Sequence, residues 1–405
     1  MDRIVIERLG HQGDGIASVD DAPVYVPGTL PGEVVEGDIE AGQLAAPRIV
    51  TPVPERVSPP CRHAKRCGGC QLQHAALDFT ADWKRDVVIR ALTAQGIDTD
   101  VRPTETSPPR SRRRATYSAR RTKKDATAGF HQKGSDVIVE NPDCLVVRPV
   151  LAAALPVVQA LAVAGASRKA EISVMVTDSD GGLDIAVRGG TAPGPADFAE
   201  LAQAHDLARL SWEGETLTRR PPLQRFGRAQ VSPPPGAFLQ ATAEGEVALL
   251  DAVRAAVGDA ARVADLFAGC GTFTLPLAES AEVSACESDV AMLEALDRGW
   301  RHAPGLRKVT TQTRDLFRNP LLPDELQRFD AVVIDPPRAG AEAQIAQIAR
   351  ARVPRVAHLS CNPVTFARDT AALIAAGYTL GPVRVIDQFR WSTHVELAAT
   401  LVLET

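Results

Sequence analysis

Short extended segments separated by turn residues fill the first 55 residues of the chain. Extended patterns occur at residues 3–6, 16–19, 22–26, 33–39 and 47–53. The sequence Gly13-Asp14-Gly15 is typical of a turn between the first two segments. Five short strands at this close spacing predict a small β-barrel of the OB type over residues 1–55.

The next region, residues 56–235, has a mixed pattern that begins after a proline-rich linker. A helical pattern over residues 75–95 ends at Gly96, and we expect this helix to pack on the C-terminal domain. Strands are predicted near residues 115–120, 136–140, 172–177 and 183–187, and a helix over residues 195–205. A central α/β domain ending near the run Ser232-Pro233-Pro234-Pro235-Gly236 is therefore predicted.

From residue 236 onward, helical patterns alternate with apolar extended runs. Strands are predicted at residues 262–267, 282–286, 329–334 and 355–359, and helices at 244–257, 273–278, 290–300 and 364–376. This alternation predicts a doubly wound, Rossmann-like α/β domain over residues 236–405. Two late extended runs, residues 383–389 and 395–403, predict an antiparallel hairpin at one edge of the sheet.

Length and composition restrict the class of protein. A chain of 405 residues is long enough for two to three domains. Its apolar runs are too short to span a membrane, and its first residues lack an apolar signal segment, so we expect a cytoplasmic protein. Seven cysteines in so long a chain favour reduced thiols, metal ligands or catalysis over a disulfide framework. Nothing in the pattern predicts an oligomer.

Positive charge is concentrated although the net charge is −5. Residues 102–124 hold nine Lys or Arg and one acid, Glu105. A charge run can be an ordinary solvated face, but such concentration in an acidic protein favours phosphate binding. The candidate RNA contacts are Arg110, Arg112, Arg113, Arg114, Arg120, Arg121, Lys123 and Lys124.

A glycine-containing loop after the first C-terminal strand is typical of a cofactor site. Gly269 and Gly271 follow the strand that carries Asp265, and Glu287 ends the next strand, 22 residues after Asp265. Glycines allow close approach of the backbone to a ligand, and an acid at that place can accept hydrogen bonds from ribose hydroxyls. The third glycine of a pyrophosphate loop is missing, so the pattern favours S-adenosylmethionine.

Three further residues at predicted strand ends bear reactive or binding groups. Asp335 opens a stiff Asp-Pro-Pro-Arg loop, and Cys361 lies at the tip of the strand over residues 355–359. A thiolate there would be a strong nucleophile, although a lone buried cysteine is commonly inert. Glu396 opens the last strand, where it is either a solvated strand end or a general base.

Three cysteines within ten residues predict a metal or cluster site. Cys61, Cys67 and Cys70 are separated by few residues, two glycines precede Cys70, and Cys144 follows 74 positions later. Zinc and an iron–sulfur cluster each accept four thiolates. A compact triplet with one distant cysteine favours the cluster, with zinc as the alternative.

Together these motifs resemble the RNA 5-methyluridine methyltransferase family over nearly the whole chain. The resemblance implies a TRAM domain for the barrel and Cys61, Cys67, Cys70 and Cys144 as ligands of a 4Fe–4S cluster. It implies Cys361 as nucleophile and Glu396 as base. The implied S-adenosylmethionine contacts are Gln240, Phe267, Gly269, Gly271, Thr272, Glu287, Asp315 and Asp335. Thr272 occupies a position where the family often has asparagine, so the resemblance alone does not establish a contact between Thr272 and S-adenosylmethionine.

The resemblance implies methylation of carbon 5 of a uridine in structured RNA, with ribosomal RNA favoured over transfer RNA by the TRAM-plus-cluster layout. Two alternatives remain. One is a noncatalytic iron–sulfur protein that binds RNA. The other is a methyltransferase acting on cytosine or on an amino group, although Arg338 after the proline pair argues against a stacked amino-bearing base.

Overall fold

The N-terminal segment folds into two three-stranded antiparallel sheets that share one small core. The structure, a computed structural model, describes residues 2–404. The six strands are β1 (Asp2–Val5), β2 (Arg8–Leu9), β3 (Gly15–Val19), β4 (Ala22–Val26), β5 (Val34–Gly37) and β6 (Arg48–Thr51). Their order is β1-β5-β6 in one sheet and β2-β3-β4 in the other. Ile6, Val26 and Val35 pack together between them, as expected for a small β domain.

Helix α1 (Leu77–Thr93) and strand β7 (Glu105–Thr106) belong structurally to the C-terminal domain. The helix buries Val88 and Leu92 against Phe366 and Val383, which lie much later in the chain. Strand β7 pairs in parallel with residues 386–387. The helix thus packs on the C-terminal domain as predicted, and residues 77–106 are separate from the central sheet.

The central domain is a seven-stranded sheet covered by short helices. Its elements are β8 (Arg114–Arg121), β9 (Ala126–His131), β10 (Ile138–Val139), α2 (Pro149–Ala152), α3 (Leu155–Gly165), β11 (Ile172–Ser179), β12 (Gly182–Arg188), α4 (Pro195–Ala204), β13 (Arg209–Trp212) and β14 (Glu215–Thr218). The strand order is β10-β9-β8-β11-β12-β13-β14. Tyr117, Leu161 and Trp212 are fully buried in its core.

A hairpin of β15 (Gln224–Phe226) and β16 (Ala229–Val231) follows. Phe226 and Val231 pack into the core of the C-terminal domain together with Leu296. The transition between the two domains therefore begins before residue 236, where the sequence pattern indicates the boundary.

The C-terminal domain is built on a nine-stranded sheet with helices on both faces. Its elements are α5 (Ala243–Val257), β17 (Arg262–Leu266), α6 (Thr274–Leu277), β18 (Glu282–Glu287), α7 (Val290–His302), β19 (Val309–Thr313), α8 (Pro323–Leu326), β20 (Ala331–Ile334), α9 (Glu342–Ala351), β21 (Arg355–Ser360), α10 (Pro363–Ala375), β22 (Tyr378–Leu380), β23 (Arg384–Asp387) and β24 (Glu396–Leu403). Strands β17 to β21 are parallel, as the alternating pattern predicts.

The last two predicted strands, β23 and β24, pair antiparallel as expected, but they do not form the edge of the sheet, because β7 lies outside β23. The order β19-β18-β17-β20-β21-β24-β23-β7 places β24 between β21 and β23 and antiparallel to both. The uninterrupted apolar run after Glu396 is buried on both faces, which suits an interior strand. The amino end of β24 therefore meets the carboxyl ends of its parallel neighbours.

Within residues 2–404, no helix combines the length and apolar character needed to cross a bilayer.

Candidate active site

A cavity of about 880 Å³ opens at the carboxyl edge of the C-terminal sheet. Its walls include nine of the ten residues expected to bind cofactor or perform chemistry: Gln240, Phe267, Gly269, Thr272, Glu287, Asp315, Asp335, Cys361 and Glu396. Gly271 is the exception. Its φ is +95°, and an added Cβ would lie 2.8 Å from Leu296, so its small size serves packing and backbone conformation.

Cys361 and Glu396 lie close together at the ends of neighbouring strands. The ladder between β21 and β24 ends with the pair Ser360 and Leu397, which are the chain neighbours of Cys361 and Glu396. Both residues line the cavity, and the Glu396 charge acts on the Cys361 thiol. The sheet itself therefore brings the candidate nucleophile and the candidate base together.

Burial and mutual repulsion set the protonation of these groups. Burial, reinforced by the charges of Glu396 and Asp335, raises the pKa of Cys361 to about 11. Burial also raises the pKa of Asp335 to about 7 and that of Glu396 well above its usual range. The Arg338 charge acts in the opposite direction on Cys361 and Glu396. A positively charged ligand in the cavity would further favour the thiolate and the carboxylates.

The loop after β17 orients Glu287. Phe267 has φ +63° and Gly269 φ +55°, which turns the backbone N–H of Gly269 towards the carboxylate. That N–H donates to Glu287 Oε2 at 3.1 Å, and the N–H groups of Ser288 and Asp289 donate to Oε1. A left-handed aromatic residue is rare and costs free energy, so its place at the cavity wall suggests a functional conformation.

An aromatic pair forms another part of the wall. The rings of Phe267 and Phe317 lie 5.4 Å apart, and Phe317 is 47% exposed. Asp315 accepts the N–H of Phe317 at 3.0 Å. Phe317 is not among the residues predicted from the sequence, although an aromatic residue two positions after a candidate binding acid is a signal that could have identified it.

Arg113 holds the backbone of Gln240. Its Nε donates to the Gln240 carbonyl at 2.9 Å, and its guanidinium pairs with Glu246 in a buried contact. Arg113 is 5% exposed. Counting charges grouped Arg113 with the RNA contacts, but in the structure its donors are occupied by protein groups at the cofactor side of the cavity.

The loop after β20 is tied to the residues that follow Cys361. Asn362 Nδ2 donates to the Arg338 carbonyl at 2.9 Å, and Thr365 Oγ1 donates to the same carbonyl at 3.3 Å. Asn362 also caps α10 by accepting the Val364 N–H at 3.1 Å. The residue after Cys361 therefore fixes the Asp-Pro-Pro-Arg loop against the strand that bears the thiol.

The four predicted ligand cysteines line one second cavity of about 280 Å³. Cys61, Cys67, Cys70 and Cys144 all have free thiols, and burial raises the pKa of Cys70 to about 12. The Asn141 amide lies 4.0 Å from the Cys61 sulfur. In the described part of the chain, no three His, Cys, Asp or Glu side chains are arranged around a single metal ion.

The two cavities share a wall. Gly69 and Arg112 line both of them, and the Arg112 guanidinium lies 5.4 Å from the ring centre of Phe389. The cysteine loop is joined to the catalytic domain by the N–H groups of Gln71 and Leu72, which donate to the Trp391 carbonyl at 2.8 and 2.9 Å. Structural change at the cysteines would therefore reach the catalytic cavity.

The remaining basic residues lie in distinct environments. Four of them are exposed: Arg110, Arg121, Lys123 and Lys124. Arg120 pairs with Glu171. The Arg114 guanidinium lies 4.6 Å from the ring centre of Phe238, which is 58% exposed on the wall of the main cavity. An exposed aromatic ring stacked on arginine is a suitable surface for a nucleic-acid base.

Comparisons with known sequences agree with these observations. A profile of the tRNA (uracil-5-)-methyltransferase family matches residues 303–404, and a TRAM domain profile matches residues 3–42. An uncharacterized RNA methyltransferase of Brucella suis is 44% identical over 98% of this chain and 97% of its own length. The 23S rRNA (uracil(1939)-C(5))-methyltransferase of Halomonas elongata is 34% identical over 99% of this chain and 89% of its own length.

A solved structure has the same overall fold. The tRNA (uracil-54, C5)-methyltransferase of Pyrococcus abyssi, crystallised with S-adenosyl-L-homocysteine, superposes with a TM-score of 0.75. The two chains are 22% identical, and the superposition covers 99% of each.

Proposed function

The chain belongs to the RNA uracil-5-methyltransferase family, and we propose that it transfers a methyl group from S-adenosylmethionine to carbon 5 of a uridine in structured RNA. The observation that carries the proposal is the proximity of Cys361 and Glu396, which adjoin the last paired residues of β21 and β24. Both residues line the cavity that also contains the glycine loop and Asp335. A nucleophile and a base facing one space is the arrangement that substitution at an unreactive ring carbon requires.

The proposed reaction begins at Cys361. Its thiolate adds to carbon 6 of the uracil, and the electrons of the carbon 5–carbon 6 double bond move to the carbonyl oxygen at position 4. The resulting enolate makes carbon 5 nucleophilic. The bound sulfonium supplies an electrophilic methyl group and leaves as a neutral thioether. Carbon 5 then carries both the new methyl group and its original proton.

Glu396 completes the cycle. Its carboxylate removes the proton from carbon 5, the double bond forms again, and the bond between carbon 6 and the Cys361 sulfur breaks. Burial raises the pKa of Glu396, which makes its ionised form a stronger base than an exposed carboxylate. Cys361 leaves as the thiolate, and Glu396 releases its proton to solvent, which restores the carboxylate for the next cycle.

The methyl donor is proposed to bind at the glycine loop. Glu287 and Asp315 have oxygens suited to ribose hydroxyls and to polar ring atoms, and Phe267 and Phe317 offer apolar faces for an adenine. Thr272, Gly269, Gln240 and Asp335 complete this side of the cavity. Gly271 supports the loop through its packing on Leu296.

A 4Fe–4S cluster is proposed at Cys61, Cys67, Cys70 and Cys144. These thiols fit the group because all four line a single cavity, whose volume of about 280 Å³ greatly exceeds the ~30 Å³ of one water molecule. Thiols with raised pKa become stable thiolates when iron supplies positive charge. The four residues would hold the cluster as a brace for the wall shared with the catalytic cavity, and the reaction above needs no electron transfer from it.

The RNA is proposed to lie across the central domain and the TRAM domain. The exposed side chains of Arg110, Arg121, Lys123 and Lys124 are available to phosphates, and Phe238 can stack with a base near the cavity. The target uridine must leave its stack to reach Cys361. Ribosomal RNA is the favoured substrate because the relative from Halomonas elongata is named for 23S rRNA. We place this activity in the cytoplasm and assign it to a monomer.

The test is covalent capture with RNA containing 5-fluorouridine. Fluorine at carbon 5 cannot be removed by a base, so the methylated adduct should remain attached to Cys361 and shift the protein on a denaturing gel. The RNA is prepared from cells in which the gene is deleted, so that target sites are unmethylated. Mass spectrometry of the digested complex should identify the Cys361 peptide.

One result would contradict the proposed mechanism, and two others would favour the alternative functions. Absence of an adduct with wild-type protein, or an adduct that persists in Cys361→Ala, would contradict the mechanism. Methylated cytidine or a methylated amino group, with no 5-methyluridine, would favour the other methyltransferase classes. Binding of RNA with no methyl transfer to any RNA would favour the noncatalytic alternative. Cys286→Ala is the matched control, since this buried thiol lies on β18 outside the catalytic cavity.

A further inference from the structure

Gln388 lies directly behind Gln240. Its side chain is 2% exposed, its Nε2 donates to Gln240 Oε1 at 2.7 Å, and its Oε1 accepts the Thr242 backbone N–H at 3.2 Å. Gln240 in turn directs its Nε2 towards Asp335 Oδ2 at 3.4 Å. Thr242, Gln388, Gln240 and Asp335 therefore form one line of hydrogen bonds that ends at the catalytic cavity.

Only one orientation of the two amides satisfies this line. The Thr242 N–H can only donate, so the Gln388 group facing it must be the carbonyl oxygen. The Gln388 NH2 then faces Gln240, whose oxygen must accept. Reversing either amide would bring two donors together in a buried place, at a substantial free-energy cost. The NH2 group of Gln240 is thereby directed towards Asp335.

The surrounding residues pack closely against the Gln388 side chain. Helix α5 has Gly245 where it passes this side chain, and a Cβ there would lie 2.2 Å from Gln388 Cγ. The neighbouring residue Asp387 is held by a buried ion pair with Lys84, 2.5 Å away. Gln388 is therefore confined in space and held from both the helix and the strand.

The Gln240 NH2 points to the part of the cavity where the reacting base must lie. Asp335, which it faces, has its charge close enough to raise the pKa of both Cys361 and Glu396. An NH2 group has two hydrogens, so one can face Asp335 while the other donates to a ligand. A donor fixed at this place favours a base with a carbonyl oxygen at position 4 over a base with an amino group there.

We propose that Gln388 is a positioning residue that fixes the Gln240 amide as a hydrogen-bond donor and thereby makes the catalytic cavity select uracil against cytosine. This inference rests on the proposed function and specifies how the same site chooses its base. Gln388 itself does not line the cavity and acts through Gln240.

Two substitutions at position 388 separate orientation from packing. In Gln388→Glu, the carboxylate accepts from Thr242 and from the Gln240 NH2, so Gln240 turns its oxygen towards the cavity. In Gln388→Met, a side chain of similar length leaves Gln240 free to adopt either orientation. We expect 5-methyluridine formation to fall about a hundredfold in Gln388→Glu and less in Gln388→Met, because loss of one oriented hydrogen-bond donor costs about a hundredfold to a thousandfold in rate.

The substrates are two synthetic RNAs that carry uridine or cytidine at the target position, mapped first with wild-type protein. Binding of S-adenosylmethionine is measured separately by calorimetry, because Gln240 also lines the donor side of the cavity. The rate of uridine methylation should fall more than the affinity for S-adenosylmethionine does. The ratio of uridine to cytidine methylation should fall in Gln388→Glu. Loss of folding alone would not shift this ratio.

Gly245→Ala provides an independent variant, because its methyl group displaces Gln388 without changing its chemistry. It should behave like Gln388→Met, whereas Gly194→Ala, at a place with no atom within 4 Å of the new Cβ, should match wild type. An unchanged rate and base ratio in Gln388→Glu would overturn the inference, as would a rate loss matched by the loss of cofactor binding. Wild-type protein that methylates no uridine would instead overturn the proposed function itself.

Discussion

The Lys84 ammonium on α1 lies 2.5 Å from the Asp387 carboxylate at the end of β23, and both side chains are almost completely buried. Lys84 Nζ also donates to the Phe389 carbonyl at 3.3 Å, and Asp387 accepts the Phe389 N–H at 2.9 Å. Helix α1 comes from the segment that follows the cysteine loop, so this ion pair joins that segment to the loop bearing Gln388 and Phe389.

Lys84→Met should destabilise the protein strongly. It leaves the Asp387 charge buried without its partner, and breaking a buried pair in this way costs about 3–5 kcal/mol. Urea unfolding followed by circular dichroism measures the effect. Lys308→Met, at an exposed position, is the control and should change stability by less than about 0.5 kcal/mol. Equal stability of the two variants would show that the Lys84–Asp387 pair is not a major anchor.

Replacing Glu396 by Gln should make Cys361 easier to alkylate while abolishing the release of methylated product. In the wild type the pKa of Cys361 is about 11, so about one thiol in ten thousand is ionised at pH 7. Removing the Glu396 charge lowers that pKa, so alkylation by iodoacetamide at pH 8 should accelerate about threefold or more. Mass spectrometry of the Cys361 peptide gives the rate. The control Asp330→Asn, at the amino end of β20, should leave the alkylation rate of Cys361 unchanged. Slower alkylation in Glu396→Gln would contradict the expected effect of the Glu396 charge on the pKa of Cys361.

Glu396→Gln should also trap ordinary RNA. Without a base to remove the carbon 5 proton, the methylated adduct has no path to product, so a covalent complex should accumulate with RNA that contains only natural uridine. A denaturing gel with radiolabelled methyl donor detects it, and wild-type protein should show only transient label. Rapid release of 5-methyluridine from the variant would mean that another group removes the proton.

The rate of methylation should fall at acidic pH because Glu396 becomes protonated. As pH falls through the raised pKa of Glu396, the group takes up a proton and no longer acts as a base, so the single-turnover rate should fall at pH values where an exposed glutamate would remain ionised. Single-turnover product formation is measured after enzyme, RNA and methyl donor are mixed, between about pH 5 and 8, the range in which folded proteins are usually most stable. A flat profile would exclude Glu396 as the base.

Anaerobically purified protein should contain about four iron atoms per chain. It should also absorb light at about 400 nm through charge transfer between thiolate and iron. Cys70→Ser should lose both signals, while Cys286→Ser should retain them. Because Gly69 and Arg112 line both cavities, Cys70→Ser should also slow alkylation or capture at Cys361. One zinc and no iron in wild-type protein would contradict the cluster.

The β8–β9 hairpin should contribute to RNA affinity. Arg121, Lys123 and Lys124 are exposed around its turn. Changing all three to Ala should weaken RNA binding and reduce the slope of log K against log salt by about 2 to 3, since each phosphate contact contributes about 0.7–0.9. Fluorescence anisotropy at several salt concentrations measures both. Arg307→Ala with Lys308→Ala, exposed on the C-terminal domain, should leave the slope unchanged.

The parts of the site that the sequence predicted are those encoded locally. Cys361, Asp335 and Glu287 each follow an apolar run that ends in a turn, and parallel strands bring such ends to one edge. The cysteine triplet is likewise a local pattern. Its partner Cys144 became a candidate through a family resemblance, and the structure brings it to the same cavity.

What the sequence did not predict depends on contacts between distant segments. Gln240 and Gln388 are 148 positions apart, and neither belongs to a pattern that indicates the other. The charge of Arg113 is visible in the sequence, but its burial against Glu246 is not. The placement of β23 away from the sheet edge depends on β7, a two-residue strand from far upstream that pairs with it.

The position of β24 has a consequence for how the molecule can respond to its substrate. The hydrogen-bonded ladder of β21 and β24 keeps its spacing up to Ser360 and Leu397, so it restricts how far the adjoining residues Cys361 and Glu396 can separate. Any adjustment on binding must therefore occur in the flanking segments that carry Phe267, Pro336 and Phe389. The sheet thus restricts the distance between Cys361 and Glu396, whereas the loops around them can adapt to different RNA shapes.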